Sequence, residues 1–219
     1  MTHHWTTRLA VGTLVAVLLA SAGFAQGRWN GYRRNRMPPR YRQADHRDNG
    51  FAFCRLQYTS VRREPAGRGW RTDYPAADVN FMIRLSELTS TTVDFGDEGN
   101  PNHWVVEIAD PELFSCPFVL TSDVGTMGLN DEEVGRLRTY LVKGGFLWVD
   151  DFWGTAAWDQ WSSQIGRVLP PDEYPIIDLP LDHAVFRTLY PILQVPQIAN
   201  TASGETPAGH RPRNAASTA

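Results

Sequence analysis

The sequence predicts an α/β fold: an open, mostly parallel sheet with helices packed on both of its faces. Three observations carry this. Apolar runs of strand length recur in "FAFCRLQY", "VVEIADPELF", "PFVLTSD" and "FLWVDD". Segments with a helical apolar period, residues 76–89, 129–145 and 155–169, alternate with them. "PFVLTSD" opens on an unbroken apolar run, as strands covered on both faces do.

Each element has a local reason. "FAFCRLQY" is apolar and aromatic, with Arg55 and Gln57 sharing one face. "TSVRREPAGRGWRTDYP" follows as a polar loop bearing Gly and Pro. In residues 76–89, Val79 and Met82, and Phe81, Leu85 and Leu88, recur at helical spacing. "TTVDF" reads as a short strand. Residues 129–145 form the clearest helix: Asn130 is the N-cap, Glu133 completes a capping box, and Asp131 and Glu132 occupy the first turn. Val134, Leu137 and Leu141 make its buried stripe, and Gly144 supplies the left-handed residue that ends it. In residues 155–169, Trp158, Trp161, Ile165 and Val168 form another stripe. "EYPIIDLP" and "LYPILQVP" read as late, short strands, and Pro175, Pro191 and Pro196 suit them to an edge.

Composition bounds the organisation. The chain has 219 residues, 42% of them hydrophobic, and a net charge of −3. Residues 1–25 read as a signal peptide: a short n-region, then no charge from Leu9 to Ala25, then small residues at the cleavage points Ala22 and Ala25. The alternative is an uncleaved membrane tether through residues 9–25, which the arginines just downstream favour. Residues 26–50 form a linker of Arg, Asn, Gly and Pro without apolar periodicity. The folded domain spans 51–198, and residues 199–219 are a polar tail with no core-forming pattern. Eight arginines against Asp45 and Asp48 make residues 1–50 basic. Export makes nucleic acid an unsuitable partner for that arm. Cys54 and Cys116 either pair, which needs neighbouring strands, or are two small buried apolar residues.

Several blocks occur in a specific order: "FAFCRLQY", "WRTDYPAADVNF", "RLSELT", "DPELFSCPFVLTSD", "LRTYLVKGGFLWVDDFWG" and "LDHAVF". Together they resemble the bacterial family of domains of unknown function numbered 4159. The likeness runs from about Phe51 to Pro196. It implies a three-layer sandwich similar to flavodoxin and to class I glutamine amidotransferases. It also implies an exported or membrane-linked protein without an established activity, whose partners are envelope or membrane proteins. Relatives usually continue with further strands where this chain carries its low-complexity tail, so the resemblance implies a shortened C-terminus.

In open α/β sheets, ligands sit outside the carboxyl ends of the strands. Asp123, Asp150 and Asp151 each close a predicted strand. The resemblance puts Asp151 near the place where amidotransferases keep their nucleophilic cysteine. No cysteine stands on that turn, so glutamine amidotransfer is disfavoured. Asp150 or Asp151 with His183 could form a carboxylate–imidazole pair for acid–base work or metal binding. Set against this, His183 can simply shape a turn. Strand alternation lets only one of the two aspartates face a crevice while the other caps the turn. Asp73, Asp78 and Trp153 are further candidates for ligand binding, although Asp78 can equally cap its helix. Trp148, Trp153, Trp158 and Trp161 could stack on sugars, or pack in the core. No phosphate loop, dinucleotide fingerprint, CxxC pair or HExxH is present, and no cofactor or metal ligand set is assigned. The expected role is non-catalytic binding or assembly at the cell envelope. The alternatives are a hydrolase or metal-dependent enzyme using Asp150 or Asp151 with His183, and a carbohydrate-binding module.

Overall fold

A computed structural model describes residues 38–97 and 99–195. Four parallel strands, β1 (Phe53–Gln57), β3 (His103–Glu107), β4 (Phe118–Ser122) and β6 (Phe146–Asp150), form one sheet in the order β3-β1-β4-β6. β2 (Thr59–Ser60) and β5 (Met127–Gly128) pair separately and antiparallel. The helices are α1 (Ala76–Leu88), α2 (Asp131–Val142) and α3 (Gly154–Val168). This is the flavodoxin-like sandwich expected from the sequence.

Strand alternation divides the core. Cys54, Leu56, Trp104, Val106 and Val119 point to one face, where Leu137 and Tyr140 of α2 and Trp161 and Val168 of α3 cover them. Phe53 and, less deeply, Phe118 and Leu120 point to the other, where Met82, Phe81 and Leu85 of α1 lie. The local signals hold. Asn130 accepts the Glu133 N–H at 2.9 Å while the Glu133 carboxylate accepts the Asn130 N–H at 2.8 Å. Gly144 takes φ +97°, a conformation that suits a residue without Cβ.

The α1 side carries a buried cation. Arg55, fully enclosed, donates through Nε to Asp78 Oδ1 at 3.1 Å and through Nη1 to Ser122 Oγ at 2.7 Å; its Nη2 also reaches Asp78. One side chain thus ties β1 to α1 and to the end of β4. Asp78 is therefore enclosed against Arg55 and does not cap its helix. The residue at the N-cap is Pro75, with no side-chain cap. Burial raises the Asp78 carboxyl above its ordinary value, and the Arg55 guanidinium pulls it back.

Other expectations change. Cys54 and Cys116 are joined by a disulfide, with Cα atoms 6.1 Å apart, because β1 and β4 are neighbours. "TTVDF" forms no strand; only isolated bridges, Val93 to Phe51 and Phe95 to Pro101, remain of it. "EYPIIDLP" and "LYPILQVP" are not strands either. Residues 171–195 are turns and bends with one short 3₁₀ turn, Ala184–Arg187, and are exposed except for a half-buried Phe186. The prolines there remove backbone donors that a ladder needs. In the stretch read as a linker, Val105 exchanges backbone hydrogen bonds with Arg40 and Arg42, so the chain from Pro39 onward already lies along β3. The signal segment 1–25, the rest of the linker and the tail 199–219 fall outside the described residues. Among the described residues no helix is long and apolar enough to cross a membrane.

Two stability measurements follow. Arg55→Met leaves Asp78 buried and unpaired, and should lower unfolding free energy in urea by about 3–5 kcal/mol. The double change Arg55→Met with Asp78→Leu should recover most of that loss; an unrecovered loss would show that the ion pair is not the cause. Replacing both cysteines by alanine opens a loop spanning 62 positions. It should cost about 2–4 kcal/mol in the same assay.

Candidate functional site

The carboxyl edge of the sheet gathers acidic groups from three segments. Asp123 follows β4, Asp151 follows β6, and the loop between β2 and α1 brings Glu64 and Asp73. β1 has neighbours on both sides, β3 and β4, so the crevice at the ends of β1 and β4 is the switch point where such folds bind ligands.

Asp123 is almost wholly buried. It adopts φ +55°, as few residues other than glycine do. Its backbone carbonyl is held by the Thr126 N–H at 3.0 Å, the Thr126 hydroxyl at 2.9 Å and the Tyr58 hydroxyl at 2.6 Å. Its side-chain Oδ2 accepts the Gly69 N–H at 2.7 Å. Gly67 presses on the same carboxylate so closely that any Cβ there would collide with it. The other oxygen, Oδ1, is buried without a donor, and so is Oε2 of Glu64. Glu64 Oε1 accepts from Arg62 at 2.7 Å, and Arg62 also donates to Gly125 O at 2.8 Å.

These carboxyls interact. Burial pushes Asp123 up to about 7. The Gly69 N–H opposes the shift, and negative charge on Glu64 and Asp151 adds to it. Asp151 is pushed up to about 6, first by burial and then by Asp150 and Asp73, with Arg55 opposing. Asp73 and Asp151 also take positive φ, +58° and +52°. Three aspartates in left-handed conformations at one edge is the kind of stored backbone strain that gathers at functional sites. Chemically, the Asp123–Glu64 pair can hold one proton between two oxygens that otherwise have no donor.

Asp150 is exposed and accepts the Asp151 N–H at 2.8 Å, so it shapes the turn. Asp151 leaves the strand register and turns toward Asp73. The positive φ of Asp151, outside β6, and not strand alternation, separates it from Asp150. His183 does not join them. It is exposed, its Nδ1 accepts the Val185 N–H at 3.3 Å, and no hydrogen bond or ion pair among the described residues links it to Asp150 or Asp151. Trp153 sits at the N-cap of α3 and, with Arg62, Glu64 and the first turn of α3, lines a cleft of about 150 Å³. The four tryptophans make no stacking platform. Trp161 is buried, Trp158 packs on the core and stacks with Phe152, and Trp148 is exposed on β6.

The sequence reading missed Glu64, Gly69, Arg62 and Tyr58. "EPAGRG" carried a signal: a carboxylate and two glycines in a loop that must cross the sheet edge. A family model described as Domain of unknown function (DUF4159) matches residues 52–218. No curated protein matches the chain.

A carboxyl raised on folding holds its proton more tightly when folded, so its stabilising contribution is present below the unfolded value, about 3.9. That contribution is lost as pH rises through the folded value. Stability should therefore fall from pH 4 to about 7 through Asp123, and to about 6 through Asp151. Asp123→Asn, whose amide mimics the protonated carboxyl, should flatten this slope and be more stable than the parent at pH 8. Urea melts across that range check both outcomes.

Proposed function

Given that this chain belongs to the DUF4159 family, we propose that it is an exported or membrane-tethered domain that binds and assembles at the cell envelope and does not catalyse a reaction. The observation that carries the reading is the open edge of the sheet. Among the described residues β6 pairs with β4 on one side only, and its outward face exposes Phe146 (56%) and Trp148 (49%). Phe146 stacks on Phe118 with ring centroids 5.7 Å apart, and Phe118 in turn stacks on Phe81 at 5.8 Å. The aromatic row of the α1 face thus continues past the helix that covers it. An uncovered strand edge with aromatic side chains suits a polypeptide that adds a strand and lays an apolar residue over the row.

Further observations support the same reading. The uncharged segment 9–25 and the disulfide both suit an oxidising compartment outside the cytoplasm. Asp123 is sealed behind the Gly67–Gly69 loop, and His183 stands apart from the carboxylates. A second reading, acid–base chemistry at Asp151, draws on its raised carboxyl and its place beside Asp73, without His183.

The test has two arms, both on the full chain. Alkaline phosphatase fused to the C-terminus should be active in the exporting cell; an inactive fusion with normal expression would remove the export reading. A photo-crosslinking amino acid in place of Trp148 should give one discrete protein adduct in vivo, and the same group at Glu132 on α2 should give none. No adduct from position 148, or equal adducts from both, would remove the assembly reading.

A further inference from the structure

A second cluster lies at the opposite end of the strands. Phe51, just before β1, exchanges backbone hydrogen bonds with Thr92 and Asp94, and the Asn102 N–H donates to Asp94 O at 2.8 Å. This carries Asp94 to the amino edge of the sheet. His46 and Asp48 come from the segment running along β3. His46 Nε2 lies 3.4 Å from Asp48 Oδ1 and 3.9 Å from Asp94 Oδ2, and all three atoms lie within 4.8 Å of one another. Nε2 is sealed from solvent and has no hydrogen-bond partner.

We propose that His46, Asp48 and Asp94 bind one divalent transition-metal ion, with zinc the best match. The donor set is one imidazole nitrogen and two carboxylate oxygens. Such a set suits zinc, manganese or iron(II), whereas magnesium and calcium prefer oxygen alone. Ligand atoms around tetrahedral zinc lie about 3.3 Å apart, for bonds of about 2.0–2.1 Å. The His46–Asp48 separation already fits, the His46–Asp94 pair must close by about half an ångström, and the two carboxylates, within 4.8 Å of each other, must also draw together around the ion.

The surroundings hold the ligands in place as outer-shell partners of metal sites do. Trp104 Nε1 donates to Asp48 Oδ1 at 3.0 Å, Arg42 Nη2 donates to Asp48 Oδ2 at 2.6 Å, and Asn102 Nδ2 donates to Asp94 Oδ2 at 3.0 Å. The His46 ring packs on Trp104 with centroids 4.3 Å apart. Arg42 takes the far oxygen of Asp48, so the near one is left facing His46. Its positive charge also opposes a second cation, which makes binding weaker than at a four-ligand structural site. Three protein ligands leave a coordination position for water or an exogenous donor. The cluster stands at the other edge from Asp123 and Asp151, and it is independent of the proposed function.

The test is isothermal titration of the metal-stripped full chain with zinc, alongside a thermal melt. Zinc should bind one per chain and raise Tm by about 5 °C at about a hundredfold excess over Kd. Magnesium should do neither. His46→Gln and Asp94→Asn should each weaken zinc at least tenfold while keeping the metal-free melt cooperative. Asp94→Asn preserves shape and the Asn102 contact, so it remains informative if His46→Gln folds poorly. His3→Gln with His4→Gln controls for the histidines near the N-terminus. No zinc binding would overturn the proposal. So would binding that survives both His46→Gln and Asp94→Asn, or that disappears only in the His3/His4 variant.

Discussion

The Arg55 guanidinium, enclosed between the sheet and α1, sets the terms for the rest of the molecule. A cation out of water is tolerable only with its countercharge and donors satisfied, and Asp78 and Ser122 satisfy it from two different elements. The pairing fixes where α1 begins. The loop before α1 must then cross the ends of β1 and β4 to reach that start. Crossing there brings Gly69 N–H onto Asp123 and Glu64 beside it. The same guanidinium lowers the Asp151 carboxyl, against burial and neighbouring aspartates that raise it. One buried ion pair therefore decides both the path of the loop and part of the charge balance at the carboxyl edge.

That edge is built to hold negative charge under strain. Carboxylates normally face water or a donor, yet Asp123 Oδ1 and Glu64 Oε2 face neither. The Gly69 N–H holds one carboxylate oxygen of Asp123, while Thr126 and Tyr58 hold its main-chain carbonyl. Burial first, and then the neighbouring charge of Glu64, push the Asp123 carboxyl up to about 7, so a proton there relieves both. Arg62 offsets Glu64 from the outer side and, with the first turn of α3, borders the adjacent cleft. Charge and shape thus meet at the switch point of the sheet, the place where folds of this class keep their ligands.

The two faces of the sheet are unequally covered. α2 and α3 close one face over a broad apolar cluster, and the Cys54–Cys116 bridge is part of it. On the other face α1 covers β1 and β4 but stops short of β6, so the row Phe53, Phe118, Phe146 runs from fully buried to half exposed. Exposed aromatic surface of this kind is rarely left on a soluble domain without a partner. The imbalance supports the proposed assembly role more directly than any carboxylate does.

Local physics was written in the sequence. The capping box of α2, the left-handed Gly144, the stripe of α3 and the alternation of β1 all depend on residues a few positions apart. Their spacing states the answer. Contacts between distant segments were decided only by the tertiary structure. Arg55 meets Asp78 across 23 positions, Gly69 meets Asp123 across 54, and Cys54 meets Cys116 across 62. Nothing in a short window says which strand will lie beside which, so a fully buried arginine reads as an ordinary polar position and Glu64 as one more loop residue. The late "strands" failed for the complementary reason. Their composition is suitable for sheet, but a strand exists only where a neighbour offers its hydrogen bonds, and residues 171–195 find none.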